Sequence, residues 1–190
     1  MTTRMETTLT ETTETPATIL PEPTMKGKVG LYVGIVGGVV LLDIVTKAIV
    51  QRTLRLYDPV PVLGDFFRLT YIFNRGAAFG LSLGENSRWI FTGLTVVAII
   101  GLFLWYRSTP STDRSRLLAL ASVTAGAIGN LIDRVRSHQG VVDFLDFGFG
   151  NVRWPVFNVA DIAVTCGAAL LAVSLWREDM QAAREKKDAG

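Results

Sequence analysis

Trp89-Ile90-Phe91-Thr92-Gly93-Leu94-Thr95-Val96-Val97-Ala98-Ile99-Ile100-Gly101-Leu102-Phe103-Leu104-Trp105-Tyr106 contains no charged residue. At 1.5 Å per residue, about 18 apolar residues in a helix come close to spanning the hydrocarbon core of a bilayer. The stretch ends in Trp105-Tyr106, whose rings have an apolar body and a polar tip and suit the headgroup belt. Three further apolar runs lie around it: Val29 to Val50, Leu117 to Ile132 and Phe157 to Trp176. Each is shorter or interrupted by polar residues, and any one of them fits a buried helix of a soluble protein. Four in a chain of 190 residues are better explained as four spans, and 49% hydrophobic residues agree. The expected fold is a mainly α membrane protein. It is a four-transmembrane-helix bundle with a small extracytoplasmic β-rich cradle, with spans at about 29–50, 88–106, 116–133 and 156–176.

Residues 1–24 are rich in Thr, Glu and Pro and carry no apolar period. They are expected to be a disordered N-terminal tail, because they cannot bury enough surface to offset their ordering entropy. Residues 25–178 form the expected membrane domain, and 179–190 a polar cytoplasmic tail. Four spans put both termini on one side. Arg107, Arg114 and Arg116 crowd the short loop between the second and third spans, and Arg177, Arg184, Lys186 and Lys187 follow the fourth. By the positive-inside rule that side is cytoplasmic. The bias is in density, since the two sides hold nearly equal numbers of basic residues. Between the spans, Phe67, Leu69, Tyr71 and Phe73 alternate as in a strand and Asn74-Arg75-Gly76 reads as a turn. Val141-Val142-Asp143-Phe144 is a second extended piece on the same side.

The net charge of +2 is too small to imply a nucleic-acid partner. One Cys and one His exclude a disulfide framework and a Cys/His zinc cluster within one chain. They also weaken any Ser-His or Cys-His hydrolase: Cys166 sits in an apolar run, expected to be a buried small hydrophobe, and His138 in a polar loop. Chemistry, if present, falls to carboxylates, with no cofactor or metal expected.

Asp43 and Lys47 share a face of the first helix at i, i+4, as an ion pair or as site support. Gly126, Asn130 and Arg134 form a stripe on the third helix, followed by the helix end. Gly30, Gly34 and Gly38 recur every four residues, an open face for a neighbouring helix or merely a Gly-rich one. Asn158-Val159-Ala160-Asp161 has the spacing of an N-cap with an acid at N3, so capping explains it as well as catalysis does. Asp143 is a loop or strand carboxylate by the same measure, with Asp146 three residues on as its competitor. From the residues alone, Asp143 and Asp161 facing each other as a hydrolytic pair is one reading. A small transporter or proton relay through Asp43, Lys47, Asp161 and Arg134 is another.

The ordered motifs add to this. Asp43-x-x-x-Lys47 is followed by Asn74-Arg75-Gly76-Ala77-Ala78-Phe79-Gly80, then by Gly126-Ala127-Ile128-Gly129-Asn130-Leu131-Ile132-Asp133-Arg134. Next come Val142-Asp143-Phe144 and Phe157-Asn158-Val159-Ala160-Asp161. In this order the chain, from about residue 26 to 178, resembles the lipoprotein signal peptidases (signal peptidase II), the membrane aspartyl peptidases of bacteria. Ala125 departs from the Gly common in that family. The resemblance implies that Asp143 and Asp161 are the catalytic pair and that Asn130, Arg134 and Asn158 support the site. Asp43, Lys47, Asn74 and Gly76 are further family positions. It implies an enzyme of the bacterial inner membrane, working near its outer surface among membrane lipids; a monomer is expected. Its substrate is a lipid-modified prolipoprotein, cut immediately before the diacylglyceryl-bearing Cys.

Overall fold

The computed structural model describes residues 25–76 and 86–188. The expected tail at 1–24 and the motif residues Ala77 to Gly80 lie outside the described residues. Four helices, α1 (Met25–Thr53), α2 (Ser87–Ser108), α3 (Arg114–Arg136) and α4 (Val159–Asp188), are each long and apolar enough to cross a membrane. This is a multi-pass membrane protein.

α3 is the central helix and touches the other three. Its small residues make this possible. Ala119, Ala121 and Ala125 have no exposed surface, and Gly126 lies against the α4 backbone. A Cβ on Gly126 would stand 2.2 Å from the carbonyl oxygen of Ala160, and one on Gly167 would stand 2.9 Å from that of Ala119. Without a hydrophobic force between helices in lipid, such close approach supplies the van der Waals contact that holds them together. The glycines of α1 behave otherwise. Among the described residues nothing lies within 4 Å of a Cβ at Gly30, Gly34 or Gly38, so none of the described helices packs closely on that face. α2 turns Leu94, Val97, Ile100 and Leu104 outward, as a lipid-facing helix should. Lys28 ties the start of α1 to the end of α2, donating to the carbonyls of Arg107 (3.1 Å) and Thr109 (2.6 Å). A cation at a helix C-terminus meets the negative end of the dipole.

At the opposite end, where α1 and α3 finish and α2 and α4 begin, lies a four-stranded antiparallel sheet in the order β1 (Val60–Leu63), β2 (Phe67–Asn74), β3 (Val141–Phe149), β4 (Val152–Arg153). The alternation of Phe67, Leu69, Tyr71 and Phe73 thus falls in a strand, as expected. Tyr71, Val142 and Phe144 pack on Val50 to close the space between sheet and bundle. The fourth helix starts at Val159, later than the expected 156. Phe157 is still extended, exchanging backbone hydrogen bonds with Leu145 (2.8 and 3.1 Å). The helix then runs unbroken past residue 178 to Asp188, and its residues from 178 onward include neither Gly nor Pro.

Candidate active site

The N-terminus of α4 faces the end of α3 and the start of β3. Asn158 is its N-cap. The Asn158 side-chain oxygen accepts from the Asp161 N–H (2.9 Å), and the Asn158 N–H donates back to Asp161 Oδ2 (3.1 Å). This is a reciprocal capping box, with Asn and Asp in place of the usual Ser and Glu. A third orphan donor, the Ala160 N–H, is taken by Asp43 Oδ1 from α1 at 2.9 Å. Capping and site assembly are therefore one arrangement, and neither reading of Asn158-x-x-Asp161 displaces the other.

Asn158 has no exposed surface, and its amide nitrogen donates to Asp143 Oδ1 (2.7 Å), Asn130 Oδ1 (3.0 Å) and the Val142 carbonyl (3.3 Å). Asn74, at the end of β2, donates to the other Asp143 oxygen (3.0 Å) and accepts from the Gly76 N–H (3.0 Å) across the expected turn. Asn130 donates to Asp161 Oδ1 at 2.8 Å. Each amide's orientation is dictated by a partner that can only donate: Lys47 Nζ at Asn130 Oδ1 (3.2 Å), the Gly76 N–H at Asn74 and the Asp161 N–H at Asn158. Three asparagines thus point N–H groups at two carboxylates. All four carboxylate oxygens of Asp143 and Asp161 accept a hydrogen bond.

Both carboxylates border a cavity of about 380 Å³, together with Asn74, Asn130 and Arg134. Trp154 to Phe157 form one wall, and Ile162, Thr165 and Cys166 continue it down α4. Cys166 is exposed along this wall, contrary to the expectation of a buried hydrophobe. Its apolar helix turns that side toward the cavity. Arg134 also donates to the Gly76 carbonyl (3.4 Å). Asp143 is 1% exposed, and burial, followed by the charge of Asp161, raises its pKa from 3.8 to about 7. The hydrogen bonds from Asn74 and Asn158, and the Lys47 charge, pull the other way without winning.

Behind the asparagines lies a closed ionic cluster. Lys47 pairs with Asp43 at 2.7 Å, the expected i, i+4 contact, and with Asp133 at 2.8 Å. Asp133 also accepts from the Val142 N–H at 3.2 Å, which seats β3. Asp133 is a residue that the reading of the sequence passed over. Its signal was a carboxylate beside Arg134 at a helix end, indistinguishable there from an interfacial charge. Gly140 was also passed over. At φ +109° it sits where a Cβ would be 2.3 Å from the Asn74 carbonyl, and it brings β3 against the Asn74 turn. Asp146, the competitor of Asp143, is buried but committed elsewhere. It accepts from Arg153 Nε (2.6 Å) and from the Thr70 hydroxyl (2.7 Å) within the sheet.

Two hydrogen-bonded carboxylates at the mouth of a helix bundle, Asp143 buried and Asp161 half-buried, can activate a water between them and hold one proton for the oxygen of an amide. Fold and site together are those of an integral membrane aspartic peptidase. Residues 35–177 match the family described as signal peptidase (SPase) II, and the chain belongs to that family. It is 40% identical over 160 residues to the lipoprotein signal peptidase of Geobacter sulfurreducens, covering 84% of this chain and 99% of that one. It is 43% identical over 141 residues to the lipoprotein signal peptidase of Halothermothrix orenii, covering 74% and 92%. A bacterial membrane enzyme solved by the in meso method at 2.3 Å superposes with a TM-score of 0.73 at 31% identity, over 80% of this chain and 90% of that one.

Proposed function

We propose that this protein removes signal peptides from diacylglyceryl-modified bacterial prolipoproteins, cutting immediately before the lipidated Cys, with Asp143 and Asp161 as the catalytic pair. The observation that carries the assignment is the set of three asparagine amides converging on these two carboxylates at the rim of one cavity.

Two neighbouring carboxylates do not ionise together readily, so the dyad holds one shared proton. The ionised member takes a proton from a water lying between them as that water attacks the scissile carbonyl. The other donates its proton to the carbonyl oxygen, giving a neutral gem-diol. The first carboxyl then passes its proton to the departing amine, and the second recovers one as the diol collapses to the acid. Asn74, Asn130 and Asn158 keep both side chains turned toward the water. Arg134 and Gly76 border the bound peptide, and Asp43 and Lys47 hold α1 to the α4 N-terminus. The diacylglyceryl chains lie along the bundle, bringing the reacting bond to the dyad. The enzyme works as a monomer in the cytoplasmic membrane among its lipids, with both termini cytoplasmic and the dyad near the outer surface. Residues 1–24 precede the peptidase domain of 25–178, and 179–190 form a cytoplasmic tail.

The test compares two substrates with one peptide sequence, with and without the diacylglyceryl thioether, in detergent. Cleavage confined to the lipidated form, with the new N-terminus at the modified Cys, is the expected result. Equal turnover of both would reject the lipid's part in binding, and cutting at another bond would reject the substrate assignment.

A further inference from the structure

We propose that Arg88 is a positioning residue of the hydrolytic site, acting from α2 through the C-terminus of α3. The proposal rests on the reading of the cavity as the active site.

The last carbonyls of an α-helix lack donors within the helix. At the end of α3 the Ser137 N–H takes the Asp133 carbonyl at 2.8 Å. The next two are taken by one side chain on another helix. Arg88 Nε donates to the Arg134 carbonyl, and Arg88 Nη2 to that of Val135 at 3.1 Å. Its remaining arm, Nη1, donates to His138 Nδ1 at 2.7 Å. Arginine has no acceptor, so His138 Nδ1 is the lone-pair nitrogen and its ring proton is on Nε2. The planar fork of one guanidinium reaches these three separated acceptors from three different nitrogens, whereas a lysine offers only one nitrogen.

Arg88 is poorly placed for its own helix. It sits in the first turn of α2, where a cation opposes the dipole, and Asn86 at the N-cap makes no side-chain capping bond. The position suits α3, whose negative end lies alongside. What Arg88 grips there is the segment that carries the site. Arg134 has its carbonyl held by Arg88 and its guanidinium on the Gly76 carbonyl. One turn earlier Asn130 donates to Asp161, and between them Asp133 holds Lys47 and the β3 backbone. A slip or fraying of this last turn would move all three groups at once. Misplacement of about 1 Å can lower turnover by about a hundredfold.

The experiment measures kcat and KM on the lipidated prolipoprotein, with thermal melting in the same detergent. The proteins are wild type, Arg88→Ala, Arg88→Gln, Arg88→Lys and Arg134→Lys, the double variant Arg88→Ala/Arg134→Lys, and Arg52→Ala as an exposed arginine at the same end of the bundle. Arg88→Ala is expected to lower kcat by about tenfold or more with KM within about twofold. Arg88→Lys should recover part of the loss, and Arg52→Ala should match wild type. Because Arg88 acts in part through Arg134, the double variant should be less impaired than the product of the two single effects. Wild-type kcat in folded Arg88→Ala overturns the proposal, as does full multiplication of the two single effects. Should the alanine variant not fold, wild-type kcat in Arg88→Gln overturns it equally. A folded wild type that leaves the substrate uncut removes the underlying functional reading instead, which separates the two failures.

Discussion

Asp143→Asn should alter the pH dependence of stability as well as activity, and the size of the effect follows from burial. The native carboxyl titrates at about 7 and the unfolded one at 3.8. Between those values the native state holds a proton that the unfolded chain has released. Stability therefore falls as pH rises through that window and levels off above about 7. A displacement of about 3 pH units corresponds to about 4 kcal/mol at about 1.4 kcal/mol each. Asparagine removes this titration but adds a cost independent of pH. Both Asp143 oxygens accept from amide nitrogens, so the new NH₂ must face one of them. An unmade buried hydrogen bond costs about 1–3 kcal/mol. The variant should thus be less stable than wild type by that amount well below pH 3.8, where the wild-type carboxyl is protonated in both states. It should gain about 4 kcal/mol on wild type by about pH 8, reversing the order. Unfolding in mixed micelles at a series of pH values measures this. In Asp161→Asn the neighbouring charge is gone, the Asp143 pKa should fall, and the window should narrow. A stability difference between wild type and Asp143→Asn that stays constant from about pH 4 to 8 would refute the reasoning, whatever its sign.

Lys47→Met leaves the buried Asp43 and the half-buried Asp133 near each other without their cation, and should cost about 3–5 kcal/mol in the same unfolding assay. Gly126→Ala forces a methyl onto the Ala160 carbonyl, so α3 and α4 must part. It should cost about 1–3 kcal/mol and lower kcat further than its stability loss explains, because Ala160 adjoins Asp161. Asn158→Ala removes the helix cap, about 1 kcal/mol, together with a donor to Asp143. With that donor gone the Asp143 pKa should rise further, and the alkaline limb of the pH–rate profile should move upward.

The helices and the strand at 67–74 were legible because their periods survive in one dimension. An uncharged run long enough to cross a bilayer has few other uses, and Phe67, Leu69, Tyr71 and Phe73 alternate cleanly. Helix ends were less legible. Phe157 is apolar and adjoins an apolar run, yet its backbone belongs to Leu145, a partner twelve residues earlier that no local pattern announces. The carboxylate pair was legible only as one of two readings, since Asn158 and Asp161 have the spacing of a cap. The structure resolves this by using the same atoms for both purposes. Asp133 and Gly140 went unread for a related reason. Their roles lie in contacts with Lys47 and Asn74, 86 and 66 positions away in the chain. The glycines of α1 are the converse case: a periodic signal on a face with no close contact among the described residues.

The most direct measurement of the central claim is a gel-shift cleavage assay on a diacylglyceryl-modified prolipoprotein, with wild type, Asp143→Asn and Asp161→Asn each shown to be folded in the same detergent. The dyad predicts cleavage by wild type alone. Cleavage by either folded variant at a rate near that of wild type would contradict it.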